Sequence, residues 1–594
     1  MKENKKGLIF KQRSSFILIV FLLIAILIIA RLFYWQVLNA SSLSALASSQ
    51  RQSISEILPN RGSILASDGF PLAINQEGFL LYANPQEVNI PAESAASMLT
   101  PILVPSLDEV PVATDASQKE IEELKENLET NTHNYLVSQL NQKNLVWVLL
   151  QRKLPLAKKT LIEKLNIAGL YFQNEPVRDY PEGSMSAQIL GFIGQDEQGR
   201  DKGYFGLEGF YDLDLSGRIG IVKQEKDALN RPIPIGKFWD QKKRDGRHLQ
   251  LYLDRSIQFL VEEALKEAVK KYGAKSGSVI VMDPKTGGIL AMASWPSFNP
   301  NFYTKYNSED YVNPVVSLTY EPGSTFKTLV MSAAINEGVI TPDTICDMCD
   351  RPYKIDKYYI RTWNNQYFKN STMIDVLVHS DNVGMVFVSK KLGMEKFVSY
   401  LKNFGIGEMT GIDLQGEIAP PLRETWSEID LSTASFGQGL VVTPMQMIKV
   451  VGAIANEGKM MQPRMVEKII DNDKEIELEP KFLGQVISKE TAETVKEMMV
   501  ASALHGDAKW TALKNYRIAG KTGTAQVAVE GHYDEDKTIA SFVGFAPADN
   551  PAFVMLTIIQ EPSSSPWGSE TAAPLFFNIA KKLFIHLGIS PKED

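Results

Sequence analysis

The sequence predicts a membrane-anchored chain of three parts: an N-terminal transmembrane helix, an α+β domain, and a larger α/β domain in which helices pack on a sheet. Three observations carry this reading. A single long apolar stretch lies near the N-terminus, the chain runs to 594 residues, and its texture changes around residues 241–246 (QKKRDG). A chain of that length exceeds what one hydrophobic core usually supports. The expected boundaries are a cytoplasmic tail over 1–15, a membrane helix over 16–38, a first exported domain over 39–240 and a second over 245–590.

The membrane helix rests on length and charge. Phe16 to Ala30 is unbroken apolar sequence, and after Arg31 the run LFYWQVL extends it to Leu38. As a helix these residues span roughly 34 Å, enough for a bilayer core with slight tilt. Arg31 lies late enough to snorkel to the headgroups, and Tyr34 and Trp35 suit the interface. Lys2, Lys5, Lys6, Lys11 and Arg13 stand before the stretch against Glu3 alone. That bias keeps the N-terminus cytoplasmic and sends the rest of the chain outside, as a single-pass protein of the cell membrane. A cleaved signal peptide is the competing reading, because Ala45-Leu46-Ala47 is an A-x-A triplet. The apolar stretch is long for a signal peptide, however, and the triplet lies well beyond its end.

In the first exported domain, Ser117 to Thr130 starts on a cap-capable serine with acids in its first turns, which predicts an exposed helix. No acid/base constellation stands out there, so a structural role is expected. The second domain reads more regularly. Residues 256–272 predict an amphipathic helix, and Gly277 to Ser294 (GSVIVMDPKTGGILAMAS) predicts two strands joined by a Pro/Gly turn. Further strands are expected over 515–527 and 552–560, with helices over 324–336, 373–391, 395–403, 443–456 and 488–500. Strands with intervening helices imply a sheet with helices packed on it.

Composition excludes some functions. A net charge of −8 speaks against a nucleic-acid binder, which would carry a basic domain. Cys346 and Cys349 are the two cysteines, in a C-x-x-C, and structural zinc needs about four ligands. The histidines are dispersed, so no metal site and no cofactor are expected. For the cysteine pair a structural or incidental role ranks first, a local disulfide second and a catalytic pair last, since no βαβ context surrounds it.

The chemistry lies in three short elements. In TYEPGSTFKTLVMSAAINEG (Thr319 to Gly338), Pro322-Gly323 makes a tight entry and Gly338 a helical stop. Ser324 therefore sits at a helix N-terminus, with Lys327 three residues on and on the same face. A serine hydroxyl is a weak nucleophile until a base takes its proton, and a desolvated lysine can be neutral enough to do so. Ser380-Asp381-Asn382 follows in VHSDNVGM, and Lys521-Thr522-Gly523-Thr524 in RIAGKTGTAQV. Ser380 can shuttle a proton, and Asn382 can hold a substrate backbone. Lys521 offers a fixed positive charge, and Thr522 and Thr524 offer hydroxyls, for a substrate carboxylate. Gly523 lets a substrate strand lie close. Two decoys exist: Lys285-Thr286-Gly287 and Ser297-Phe298-Asn299 both precede Ser324. With the later pair alone, the order is S-x-x-K, S-x-N, K-T-G, the triple of penicillin-binding proteins and class A β-lactamases.

On these motifs the sequence resembles the class B penicillin-binding proteins, the single-pass D,D-transpeptidases of cell-wall synthesis. The likeness includes RLFYWQV (Arg31 to Val37), RGSILASDGFPLA (Arg61 to Ala73), RDYPEG (Arg178 to Gly183) and GLEGFYDLDLSG (Gly206 to Gly217). It continues through EPGSTFK, SFGQGLVVTPMQM (Ser435 to Met447) and SFVGFAPADNP (Ser541 to Pro551). The resemblance implies a non-catalytic pedestal of the dimerisation type before a penicillin-binding transpeptidase domain with an antiparallel sheet flanked by helices. It implies stem peptides ending in D-Ala-D-Ala as substrate, an acyl-Ser324 intermediate, attack by an amine of a neighbouring stem peptide, and covalent binding of β-lactam antibiotics. It also implies a membrane glycosyltransferase partner that polymerises the lipid-linked precursor, and other wall-synthesis proteins. Ser380-Asp381-Asn382-Val383-Gly384 and SFVGFAPADNP look more like the division type than the elongation type, which often carries Asp at the position of Asn382. One departure is WGSET (Trp567 to Thr571), where the family often has Gly-Gly.

Other readings fit less well. A β-lactamase of class A needs a glutamate to activate water, and no E-x-x-L-N lies between Asn382 and Lys521. A bifunctional polymerase would need a second catalytic module. A β-lactam receptor would show several membrane helices before its binding domain, and a dead scaffold would usually lose Ser324 or Lys327.

Overall fold

The computed structural model describes residues 3–110, 117–225, 238–513, 515–529 and 532–591. The chain divides into two compact units, Met1–Pro59 with Gly217–Asp245, and Asn60–Ser216 with Gly246–Asp594.

In the first unit, helix α1 (Glu3–Phe33) runs into a π-helical turn, Tyr34–Leu38. The span Arg13–Leu38 is long and apolar enough to cross a membrane, and its side chains are exposed rather than packed in a protein core. A second helix, Ala40–Arg51, follows and contains the Ala45–Ala47 triplet. The strand Gln52–Ile57 pairs antiparallel with Gly220–Glu225, which pairs in turn with Phe238–Gln241.

The second unit begins with a small α+β module. Its central strand, Gly78–Ala83, lies between Val148–Pro155 and Leu170–Asn174, all antiparallel. Phe79, Leu81 and Ala83 alternate onto the face covered by the helices Ala92–Leu103 and Gln118–Leu140. The expected exposed helix is the second of these, and Ser117 closes a capping box with Glu120 at its start. Three of the segments that carry the family likeness meet at one buried ion cluster. Arg61 Nε and Arg178 Nε each reach a Glu208 carboxylate oxygen at 2.6 Å, and Arg61 Nη1 reaches Asp212 at 2.8 Å. Burial pushes the Glu208 carboxyl up, but the two guanidiniums outweigh it and hold the group below its usual range. Removing one partner would strand a buried charge, at a cost of about 3–5 kcal/mol.

The catalytic candidates lie on a three-layer arrangement. Helix α2 (Arg255–Tyr272) is capped by Asp254, whose carboxylate accepts from the backbone N–H groups of Ser256 and Ile257, and it ends on Gly273 in the left-handed region. Strands β1 (Ser276–Met282) and β2 (Ile289–Trp295) form the expected hairpin. With β3 (Ala519–Val529), β4 (His532–Ala546) and β5 (Phe553–Gln560) they make an antiparallel sheet in the order β2–β1–β5–β4–β3. The central strand β5 is buried on both faces, because each face has its own helix layer. Val554, Leu556 and Ile558 join the core beneath helices α3 (Lys327–Asn336), α5 (Asn382–Leu392), α6 (Pro444–Ala455) and α7 (Lys489–His505). Phe553, Met555 and Ile559 join the core beneath α2 and α8 (Ala572–His586). Truncating such a side chain to Ala would cost about 2–5 kcal/mol. Helix α6 is buried at every position; its residues are apolar except Gln446, which donates to the Glu408 carbonyl at 2.8 Å, and Lys449, whose ammonium burial pushes down to about 8.

Two expectations are corrected. The single helix over 373–391 is two helices, α4 (Met373–Val378) and α5, separated at His379–Asp381. Cys346 and Cys349 form a disulfide, with Cα atoms 5.7 Å apart, so the ranking of an incidental role first is reversed. The bend at Asp347–Met348 brings the two Cα atoms within bridging range, which spacing alone does not reveal.

Candidate active site

Ser324 lies in a 3₁₀ turn, Gly323–Phe326, that feeds directly into α3. Gly323 takes a positive φ of 55° and donates its N–H to the carbonyl of Gly437 at 3.0 Å. Gly437 is itself at φ 81°, and a Cβ there would lie 2.1 Å from the carbonyl oxygen of Gly323. The turn that carries Ser324 therefore rests on a bare stretch of the 435–439 loop. Glu321 ties the same parts together, accepting from Gly439 N at 3.0 Å and from the Tyr533 hydroxyl of β4 at 3.1 Å.

One turn on, Lys327 is wholly buried inside α3. Its Nζ lies 2.6 Å from the carbonyl of Ser380, 3.2 Å from Ser380 Oγ and 2.8 Å from Asn382 Oδ1. The break between α4 and α5 makes this contact. Ser380 adopts φ 55°, rare for a residue with a Cβ, and Asp381 then caps α5 by accepting from Val383 N at 2.8 Å and Gly384 N at 3.1 Å. A continuous helix would have left the Ser380 carbonyl in its own ladder instead of against Lys327. Asn382 uses its other end as well, donating from Nδ2 to the Arg361 carbonyl at 3.0 Å.

Lys521 lies on β3, the edge strand of the sheet. Strand alternation turns Thr522, Thr524 and Gln526 into the cleft, while Gly523 faces the protein. A Cβ on Gly523 would lie 2.5 Å from Ser541 Oγ and 2.9 Å from Thr325 Cγ2. The glycine is thus needed by its own neighbours, a reason the sequence did not show. Thr524 Oγ1 accepts from Gly568 N at 2.9 Å, so the departing WGSET segment packs against the strand. Lys521 Nζ donates to Ser380 Oγ at 3.0 Å and to Thr522 Oγ1 at 3.2 Å.

Ser380 Oγ therefore stands between two buried lysines. Burial pushes the Lys327 ammonium well below the ordinary lysine value, and the like charge of Lys521 lowers it further. Burial also pushes Lys521 down, to about 8, and the carboxylate of Asp507 opposes the shift in both lysines. One proton is more easily held by this pair than two.

These groups open on a cleft of about 320 Å³ lined by Ser324, Ser380, Asn382, Thr522 and Thr524 together. Sequence reasoning missed several of its other walls. Trp363 and Trp567 meet at a tilt of 58° with ring centroids 4.9 Å apart, and Phe436 and Asp507 also line the cleft. Their signal was weak: Phe436 lies in the SFGQG run, whereas Trp363 and Asp507 belong to no motif. Both decoys lie elsewhere. Lys285 is exposed and bonds to Asn550 Oδ1 at 2.8 Å, and Asn299 caps the turn at Asn301.

Comparison with known proteins agrees with this geometry. The family described as "Penicillin binding protein transpeptidase domain" matches residues 277–581, and "Penicillin-binding Protein dimerisation domain" matches residues 56–251. Stage V sporulation protein D of Bacillus subtilis is 32% identical, over 98% of this chain and 87% of that protein. Peptidoglycan D,D-transpeptidase FtsI of Escherichia coli is 29% identical, over 95% of this chain and 90% of that protein. Among solved structures, penicillin binding protein 3 of Mycobacterium tuberculosis complexed with aztreonam is 26% identical. It superposes with a TM-score of 0.67, over 91% of this chain and 98% of that one. A peptidoglycan synthetase from Bifidobacterium adolescentis, also 26% identical, gives a TM-score of 0.70 over 92% of this chain and 99% of that one.

Proposed function

The chain belongs to the class B penicillin-binding proteins, and on that premise we propose that it is a peptidoglycan D,D-transpeptidase of septal wall synthesis whose nucleophile is Ser324. The observation that carries the assignment of roles is the Ser380 hydroxyl, held between Lys327 and Lys521 on the floor of the cleft that Ser324 lines. Ser380 Oγ accepts from the Lys521 ammonium and so can turn its own hydrogen toward Lys327. A neutral Lys327 completes that chain: it has two N–H bonds for the Ser380 carbonyl and Asn382 Oδ1, and a lone pair left over.

The chemistry follows from this arrangement. Lys327 takes the proton of Ser324 as Oγ attacks the carbonyl of the penultimate D-alanine. The C–N bond breaks, the proton passes through Ser380 to the leaving amine, and the acyl group stays on Ser324. An amine of a second stem peptide attacks the ester, and its proton returns to Ser324 Oγ. Lys521, Thr522 and Thr524 hold the carboxylate of the departing D-alanine, and Asn382 and Gly523 line the substrate's path. A β-lactam enters the same way, but its amine leaving group remains attached. Residues 39–240 form the pedestal and 245–590 the transpeptidase domain. The helix over 16–38 anchors the protein with its N-terminus cytoplasmic, and a membrane glycosyltransferase docks against Arg31 to Val37 and the pedestal.

Labelling with a fluorescent penicillin, followed by turnover on a pair of stem peptides, tests the proposal. Labelling at Ser324 with cross-linked product supports it. Labelling without turnover would make the protein a binder instead of an enzyme.

A further inference from the structure

The cleft contains a charge that donor binding does not explain. Asp507 is the sole acidic residue among the described residues that line it, and although its field helps keep the buried Lys521 charged, the same carboxylate repels the substrate carboxylate that Lys521 is to hold. The side chain is exposed, and among the described residues it makes no hydrogen bond or ion pair. Its place is fixed. Gly506 closes α7, and a Cβ there would lie 2.4 Å from Ser502 O and 3.0 Å from Val378 O. The turn therefore packs against the end of α4, two residues before Ser380. Asp507 lines the cleft together with Ser324, Thr522 and Thr524, and its field reaches both Lys327 and Lys521.

On the transpeptidase reading, the cleft that Asp507 lines with Thr522 and Thr524 has two successive occupants. Before acylation it holds the terminal D-alanine with its carboxylate. After that residue leaves, the attacking amine must approach the acyl carbonyl from the same direction. A free amine with a lysine-like pKa of about 10.4 arrives at neutral pH as an ammonium ion. A carboxylate repels the first occupant and attracts the second. We propose that Asp507 is the acceptor-selecting residue, docking the incoming amine as its ammonium in the subsite that D-alanine vacates. The inference rests on the transpeptidase reading above. The docked ammonium gives one proton to water and attacks as the neutral amine. The ester bond to Ser324 then breaks, and the second proton passes through Ser380 and Lys327 to Ser324 Oγ.

The test uses the full chain in detergent with an N-acylated D-alanyl thioester as donor. Two acceptors of one shape are compared: Nα-acetyl-lysinamide, a cation at the assay pH, and its aminooxy analogue, which is neutral there. In Asp507→Asn the KM for the lysine acceptor should rise about two- to fivefold, the range of an exposed ion pair, while that for the aminooxy acceptor stays unchanged. Added salt should raise the lysine KM of the wild type but not of Asp507→Asn, and Asp507→Glu should keep the discrimination. Equal KM changes for both acceptors would overturn the proposal, as would none, or a fall in acylation that alone accounts for lost transfer. Intact-mass detection of the acyl-enzyme in the same samples separates the two levels. A wild type that never acylates Ser324 would sink the transpeptidase reading itself, whereas an acyl-enzyme indifferent to acceptor charge would sink only the role of Asp507.

Discussion

Lys521→Ala is the perturbation whose consequences the geometry specifies most fully. Lys521 is buried, shares Ser380 Oγ with Lys327, and donates to the Thr522 hydroxyl at 3.2 Å. Its loss removes a charge-assisted contact to the substrate carboxylate, worth about 1.5–3 kcal/mol. At about 1.4 kcal/mol per factor of ten, the second-order acylation rate should fall roughly 10- to 150-fold. The pH profile should change as well. Lys521 must be charged, and burial pushes it down to about 8, so wild-type acylation is present below that value and is lost as pH rises through it. Lys327 must be neutral, so the rate climbs through its lowered pKa on the acid side. In Lys521→Ala the alkaline limb should vanish. The acid limb should move to higher pH, because Lys327 no longer feels the like charge that helped to lower it. Lys285→Ala is the internal control: the residue is exposed on a turn, and its loss should change acylation by less than about 0.5 kcal/mol. Stopped-flow acylation rates against pH for the three proteins decide the matter. Equal losses at Lys521 and Lys285, or an unshifted acid limb in Lys521→Ala, would refute the reasoning.

Three further outcomes are expected. Lys327→Ala should lower acylation about 10²–10⁴-fold with little change in thermal unfolding, since a general base is lost; near-normal acylation would mean that another group deprotonates Ser324. Gly437→Ala should disturb the nucleophile turn, because its Cβ would meet the Gly323 carbonyl at 2.1 Å in a backbone conformation that L residues adopt at a cost of about 1–3 kcal/mol. Acylation slowed at least about tenfold, measured beside the melting temperature, is the expected result, and an unaffected rate would show that the loop does not set the position of Ser324. Replacing residues 1–40 with a foreign single-pass helix should weaken co-purification of the proposed glycosyltransferase partner in detergent, and an undiminished complex would remove the membrane helix from the required contacts.

The sequence made the scaffold of the site legible where chemistry is local. Lys521 could be placed on a strand because a β-rich run follows it, and the earlier K-T-G could be set aside because Asp283-Pro284 and Gly288 mark a turn. Ser380 was found as a motif residue, but its conformation was not. Apolar runs lie on both sides of the polar stretch His379–Asn382, so the two helices read as one, and the break depends on Asp381 capping the second. The buried cluster of Arg61, Arg178 and Glu208 was invisible because its members lie far apart in the chain, on a loop, a strand and a helix that only the fold brings together. Asp507 and Trp363 follow the same logic, as cleft residues with nothing local to mark them.

The central claim is that Ser324, activated by a neutral Lys327, forms the covalent intermediate. Intact-mass spectrometry of the full chain in detergent, taken before and after a β-lactam and followed by peptide mapping over time, addresses it directly. The account predicts one adduct per chain, located on Ser324 and shed slowly, because no glutamate is among the described residues that line the cleft. An adduct on another residue, or one released within seconds, would contradict it.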